Sequence, residues 1–300
     1  MNESPICLID ASIYIFRYYF SLPDHWTSRH EGYGTGAVYG YSTFLLRLLE
    51  EERPRHLAAC YDESLGQCFR NDLYPNYKIS RPHPDEALAF QLAACRRFGD
   101  IIGIASFASA THEADDLLGS LARPLRESPY PLAILTRDKD LGQLLRRPQD
   151  YLWDHAADRR SYAPDVEAKL GIRPDQLVDY LALVGDSIDD IPGVPGVGPK
   201  TASALLTHFQ TLDQLWDRLD EVATLPIRGA KSLAAKLEKH REQVAVARQL
   251  ATIVEDLPLD VTLNDLRPGP VDWWALEEFA ADMGFGDGFI SRSRRILDGY

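Results

Sequence analysis

The chain has 300 residues, 45% of them hydrophobic, with 45 acids against 32 lysines and arginines and a net charge of −13. That length and composition bury a core in one large domain or two modest ones, and exclude a disordered chain. The charge argues against a nonspecific nucleic-acid coat, but not against an enzyme whose carboxylates hold cations.

The apolar run 5–9 reads as a buried strand that ends in Asp10. Residues 11–20 can open a helix, and 36–52 carry apolar residues at helical spacing up to Arg53-Pro54. A second buried strand, 57–61, ends in Asp62. Residues 64–84 are polar, aromatic and basic, and read as irregular chain. A helix over 85–98, a strand over 101–107 and a helix opened by Thr111-His112-Glu113 follow. Residues 132–135 form a fourth strand, with a helix starting near Leu141, and 151–153 a last short one. From about Pro164 strands give way to helices over 165–171, 174–185, 199–209, 212–219, 229–237 and 243–254, with a final helix over 273–283. Alternating strand and helix predict an α/β half with a mostly parallel sheet over 1–163, and a helical half over 164–300.

Every apolar segment is too short and too interrupted to span a membrane, and the N-terminus lacks the pattern of a signal peptide. A cytoplasmic location is the default expectation. Cys7, Cys60, Cys68 and Cys95 show no C-x-x-C spacing and read as small buried hydrophobes in a reducing compartment.

In open parallel sheets ligands bind beyond the carboxyl ends of the strands. Asp10, Asp62, Asp138 and Asp140 fall at such ends, Glu113, Asp115 and Asp116 follow the remaining strand, and Asp186 and Asp189 lie in the helical half. Any one of them alone reads equally well as a strand-end or helix-capping acid. Acids fill 45 of 300 positions, so four fixed loci would all be acidic by chance about five times in ten thousand. Two like charges ~5 Å apart repel by roughly 3 kcal/mol at an effective dielectric of ~20, so acids crowded on one rim require cations. All-oxygen ligands favour Mg²⁺ or Mn²⁺, and two such ions suit phosphodiester hydrolysis. A calcium buffer is the weaker reading, since no EF-hand loop is present.

Residues 192–198 (PGVPGVG) join two helices, the second opening at Pro199-Lys200. Free amide groups there suit phosphate, although an ordinary helix–helix turn fits the same residues. Between Phe69 and Arg81, rings and cations interleave as a single strand of nucleic acid requires, or as a solvated loop allows. Lys78 and Arg81 are candidates to touch phosphate, Tyr77 to stack on a base, and Arg17 to face the same rim.

In order and approximate spacing, LID, CYD followed by FRNDLYPNYKISR, EADD, TRDKD and GDSIDDIPGVPGVGPKTA resemble the 5′→3′ exonuclease domain of bacterial DNA polymerase I, in the flap endonuclease superfamily. The resemblance runs nearly the whole length, including the closing EEFAADMGFG. No polymerase follows in these residues, so a stand-alone member is expected. The resemblance implies a PIN-like α/β core, a helical arch and a helix-three-turn-helix module. It implies a first metal group of Asp10, Asp62, Glu113, Asp115 and Asp116, and a second of Asp138, Asp140, Asp186 and Asp189, with Asp138 essential to catalysis. Two or more Mg²⁺ or Mn²⁺ ions are implied. Arch residues Tyr77, Lys78 and Arg81 would engage the scissile nucleotide, with Lys78 and Arg81 offsetting charge in the reaction and Arg70 among the DNA contacts. Gly193, Val194, Gly196, Val197, Gly198 and Lys200 would grip duplex DNA, with a K⁺ ion on backbone carbonyls. Asp190 stands where the family usually has Asn, and SFASATHEADD replaces its usual lead-in to EADD.

The expected function is divalent-metal-dependent hydrolysis of DNA at 5′ ends, flaps and single-strand/duplex junctions by a monomer with no membrane partner. A non-catalytic binder of branched DNA and an RNA-directed PIN-type nuclease are the alternatives.

Overall fold

Six strands form one sheet: β1 (Ile6–Asp10), β2 (His56–Asp62), β3 (Ala105–Ser109), β4 (Leu132–Leu135), β5 (Tyr151–Asp154) and β6 (Arg159–Tyr162). The structure is a computed structural model that describes residues 4–23, 25–64 and 67–299. The order is β3-β2-β1-β4-β5-β6, parallel except for the β5–β6 pair. The sheet therefore grows outward from β1 in both directions, and the β1/β4 junction is its switch point.

Register fixes what stands at that point. Asp10 lies opposite Cys60, so Asp62 projects two residues further, while β4 ends with Leu135 opposite Ile9 and puts Thr136 beside Asp10.

The helices are α1 (Ala11–Ser21), α2 (Gly36–Glu52), α3 (Phe69–Leu73), α4 (Glu86–Ile101), α5 (Ala114–Leu125), α6 (Ala163–Leu170), α7 (Leu177–Val184), α8 (Pro199–Phe209), α9 (Leu212–Asp217), α10 (Ala230–Lys239), α11 (Arg241–Ala251), α12 (Trp273–Asp282) and α13 (Asp287–Leu297). Successive strand residues face opposite ways. Cys7, Ile9, Leu57, Ala59, Ala133 and Leu135 pack on residues of α1, α2, α4, α12 and α13. Ile6, Leu8, Ala58, Cys60, Leu132 and Ile134 pack on α5. Strands buried on both faces explain the unbroken apolar runs. A separate core joins α7 through α11 and takes in Cys68 and Tyr77 from the segment before α4.

Four local readings are corrected. The third strand starts at Ala105, because Ile101 and Ile102 close α4 and Gly103 turns the chain at φ 76. The helix near Leu141 is one 3₁₀ turn, Asp140–Leu144. The strand at 151–153 is half of a hairpin whose partner β6, RRSY, is too polar to read as a strand and lies at the sheet edge. Helix α13 follows the expected final helix, its apolar stripe hidden among serines and arginines. Within the segment expected to be an arch, the described residues form only the five-residue α3 and turns.

All four cysteines are buried, and burial raises each thiol. Among the described residues no helix is long and apolar enough to cross a membrane.

Candidate active site

Asp10 ends β1 and caps α1, its Oδ1 accepting from the Ile13 amide at 3.4 Å. The Thr136 hydroxyl, just past β4, donates to Asp10 Oδ2 at 2.9 Å and accepts from the Asp138 amide at 3.0 Å. Thr136 therefore bridges the first expected acid group to the second. Asp138 Oδ1 in turn accepts from the Asp140 amide at 2.8 Å. Across the switch point, Asp62 N donates to Ser12 Oγ at 2.9 Å, and Asp62 Oδ1 accepts from the Ser64 hydroxyl at 2.7 Å.

A cavity of about 30 Å³ gathers Glu113, Asp115, Asp138, Asp140, Asp186 and Asp189. Asp186 and Asp189 reach it from the helical half, on the loop after α7. That loop is closed by paired hydrogen bonds between Asp186 and Ile191. These six of the expected acids line one cavity, while Asp10 is joined to Asp138 through Thr136 and Asp62 acts on Asp10 through its charge.

Their electrostatics differ sharply. Burial, then the charges of Asp138 and Asp62, push Asp10 up to about 7 against the Thr136 hydrogen bond. Burial and Asp138 push Asp140 up to about 7 against Lys139. Burial, Asp10 and Asp138 hold the Asp115 carboxyl well above the usual range. Burial also raises Asp62.

Glu113 is the opposite case. Burial would raise it, but Lys78 and Arg70 hold it below the ordinary value. Its Oε2 accepts from Arg70 at 3.1 Å and from the Tyr77 hydroxyl at 2.8 Å, and its Oε1 from Lys78.

Arg70 and Asp116 depart from the expected roles. Arg70 is 2% exposed and Asp116 is fully buried. The guanidinium meets both Asp116 oxygens, at 2.7 and 2.8 Å, and spends its remaining donors on Glu113 and on the carbonyls of Leu250 and Thr252. Asp116 also accepts from the Glu113 and Val254 amides. A paired, saturated carboxylate has no lone pair aimed at an ion, and a saturated guanidinium has no donor for DNA. Arg70 is thus a strut between α5 and the end of α11, and both expectations are corrected. Tyr77 is corrected too: its ring is 4% exposed, under Lys78 at 4.9 Å, so no face is open to a base.

Lys78 and Arg81 do reach the site, but onto carboxylates. Lys78 pairs with Glu113 and lies 3.6 Å from Asp189, which Arg81 also holds. Lys139 spans Asp140 at 2.9 Å and Asp186 at 3.6 Å. Among the described residues, no three Asp, Glu, His or Cys side chains stand together as a ready-made ion site. The donor set nonetheless fits divalent cations. It is all oxygen, and the acids that raise one another's pKa are those that positive charge would relieve.

Asp190 acquires a clear place. It sits at φ 54, a region Asp and Asn tolerate, and its Oδ2 accepts from the Ser80 amide at 2.8 Å. Beside it the Lys78 amide donates to the Asp189 carbonyl at 3.0 Å. Residues 78–81 are thereby fastened to the loop carrying Asp189.

The glycine-proline loop divides in two. A Cβ on Gly193 would lie 2.1 Å from the Val184 carbonyl oxygen, so this glycine serves the packing of the loop on α7. Val194 and Val197 are buried and their amides are spent internally, on Leu183 and Val194 carbonyls. Side-chain and amide contacts of Val194 and Val197 with a duplex are therefore corrected. Gly196 and Lys200 are exposed, and Gly198 caps α8. Lys236 stands over the tip, its Nζ 3.1 Å from where a Cβ on Gly196 would lie. Arg17 is exposed on α1. Thr136, Ser12 and Lys236 carry no distinguishing signal in sequence; only Thr136 lay inside a quoted motif.

Comparison with known proteins agrees with this architecture. Residues 5–171 match the 5′-3′ exonuclease N-terminal resolvase-like domain, and residues 172–273 its C-terminal SAM fold. DNA polymerase I of Pseudomonas aeruginosa is 40% identical over 90% of this chain, which covers only 29% of that protein. A 5′-3′ exonuclease of Buchnera aphidicola subsp. Schizaphis graminum is 31% identical over 88% of this chain and 91% of its own length. Among solved structures, T5 5′-exonuclease with bound zinc superposes at TM-score 0.64, with 18% identity over 98% of each chain. The catalytic core of Rad2 in complex with DNA substrate superposes at 0.62, with 17% identity over 99% of this chain and 92% of that one. The chain belongs to the 5′-3′ exonuclease family, its sheet-bearing half matching the family's N-terminal domain and its helical half the C-terminal SAM fold.

Proposed function

We propose that the protein is a divalent-metal-dependent 5′→3′ exonuclease and 5′-flap endonuclease acting on DNA. The observation that carries this is the gathering of Glu113, Asp115, Asp138, Asp140, Asp186 and Asp189 on one cavity at the switch point of the sheet, where burial and the charge of Asp138 raise the carboxyls of Asp10, Asp115 and Asp140. Asp10, Asp62 and Asp115 would hold one ion and Asp138, Asp140 and Asp186 a second, Mg²⁺ or Mn²⁺. Such ions supply an activated water and charge opposite a leaving oxygen.

Glu113 and Asp189 are engaged by Lys78 and Arg81. A scissile phosphate competes for those two cations, because phosphate oxygens accept from Lys and Arg as carboxylates do. As Lys78 and Arg81 turn to the phosphate they offset its charge, and they leave Glu113 and Asp189 to complete the ion sites. Lys139, between Asp140 and Asp186, exchanges in the same way. Substrate entry and completion of the acid set are then one event.

Gly196, Gly198, Lys200 and Lys236 would meet the phosphates of a duplex arm without reading its sequence, and Arg17 a neighbouring phosphate. A K⁺ ion on the loop would use second lone pairs of the Gly193 and Val194 carbonyls, which accept one N–H each, whereas the Gly198 carbonyl already accepts from the Thr201 and Ala202 amides. We divide the chain near 163/164, after β6. T5 5′-exonuclease has been solved with zinc, and the Rad2 core with DNA substrate, which supports both the metal and the nucleic acid. The test is a 5′-labelled flap in DNA and in RNA, with Mg²⁺ and with EDTA. Mg²⁺-dependent release of short 5′ products from the DNA flap is expected. Cleavage that persists in EDTA, or only of RNA, would reject the reading.

A further inference from the structure

Strand β2 ends at Asp62 on the acidic rim and begins, six residues earlier and about 20 Å away, at His56. There an open cavity of about 460 Å³ is lined by Arg53, Pro54, Arg55, His56, Tyr130 and Arg267, among others. No acid is among its described lining residues. Arg47, Arg96, Arg294 and Arg295, on other faces, have carboxylate partners. Arg53, Arg55 and Arg267 have none among the described residues, although acids outnumber lysines and arginines by 45 to 32.

A second observation is independent of those charges. His56 is 4% exposed, and its Nδ1 is buried without a hydrogen-bond partner. Buried polar atoms are rarely left so, and an unpaired one calls for an explanation. The ring packs at a tilt on Tyr130, 5.6 Å between centroids. Burial, Arg267 and Arg55 all favour its neutral form, so both guanidinium charges are felt at the imidazole. An open cavity with three unpaired forks and an aromatic wall has the size and chemistry of a small-ligand site.

We propose that this cavity binds the phosphate group of a nucleotide, with Arg55 and Arg267 on the oxygens, Arg53 supplying further positive charge and Tyr130 available to a base. The phosphate comes either from a free mononucleotide or from a strand of nucleic acid. The site lies at the opposite end of the sheet from the acids, so it stands whether or not the catalytic reading does.

The test is done in EDTA, to silence the acidic rim. His56 ring signals are followed by NMR in the wild-type protein as inorganic phosphate, a deoxynucleoside 5′-monophosphate and a short single-stranded oligodeoxynucleotide are added, and affinities are measured for wild type and the Arg55→Ala/Arg267→Ala double variant. His56 should respond, and the double variant should bind the mononucleotide at least about tenfold more weakly, as loss of charge-assisted hydrogen bonds implies. In a separate assay with Mg²⁺ its flap cleavage should stay within about twofold of wild type, as for surface changes away from a site. A response to the oligonucleotide alone, lost in the double variant, supports the proposal and assigns the phosphate to a strand. No response of His56 to any of the three, or equal affinities in the two proteins, overturns it.

Discussion

Helix α5 opens with two kinds of carboxylate side by side, Asp115 half-buried and Asp116 fully buried. Asp116 is saturated by Arg70 and two amides. Burial and the charges of Asp10 and Asp138 drive the Asp115 carboxyl up against the pull of Lys78. The difference teaches how to sort an acid-rich motif. An acid buried with its own arginine belongs to the framework, and breaking such a pair exposes an uncompensated charge. An acid buried among acids stores repulsion that an external cation relieves.

The strongest way to break the comparison is at Asp138. Asp138→Ala should cut Mg²⁺-dependent cleavage by about three orders of magnitude or more, while the melting temperature and flap binding in EDTA stay near wild type. Near-normal turnover would dissolve the functional class. On the framework side, Arg70→Ala leaves Asp116 and Glu113 buried without their partner and should cost about 3–5 kcal/mol in urea unfolding. A loss below ~1 kcal/mol would place Arg70 outside the framework.

A subtler test uses pH. Asp10 and Asp140 titrate near 7 in the fold without metal, but near 4 when unfolded. Between those values the native state binds the extra protons, so these groups stabilise the metal-free protein most below about pH 4. That contribution is lost as pH rises towards 7. Mg²⁺ should therefore raise the melting temperature more at pH 7.5 than at pH 5.5. An equal rise at both, measured by calorimetry, would contradict the raised carboxyls.

The smallest expected effect is at Asp190, which fastens the Ser80 amide. Asp190→Asn keeps both the acceptor and the tolerance of φ 54, and should cleave like wild type. Asp190→Gly keeps the conformation but loses the acceptor, and should lower kcat by a few-fold, about the worth of one hydrogen bond, with KM little changed. Equal losses in both variants would mean that charge, not fastening, is its role.

Much of this was legible in the sequence because it rests on local pattern. Strands ending in Asp10 and Asp62 announce themselves as apolar runs closed by an acid, and alternation with helices gives a parallel sheet with an acidic rim. Strand β6 and helix α13 were not legible, since an edge strand and an exposed amphipathic helix carry little apolar signal. In the site, the acids were visible as residues but not as partners. That Arg70 turns inward to Asp116 depends on contacts 46 residues apart, and that Gly193 packs on Val184 depends on a loop closure. Burial of the Tyr77 ring likewise requires the helical half to fold over it. Spacing alone cannot tell a saturated pair from a waiting one.

The central claim is that the acids at the β1/β4 junction hold divalent cations. Mn²⁺ titration followed by EPR measures this directly on wild type and on the Asp138→Ala/Asp140→Asn double variant, without DNA and at pH 7.5. Wild type should bind Mn²⁺ and the double variant should lose at least one of its sites. Identical binding curves for the two proteins would contradict the account.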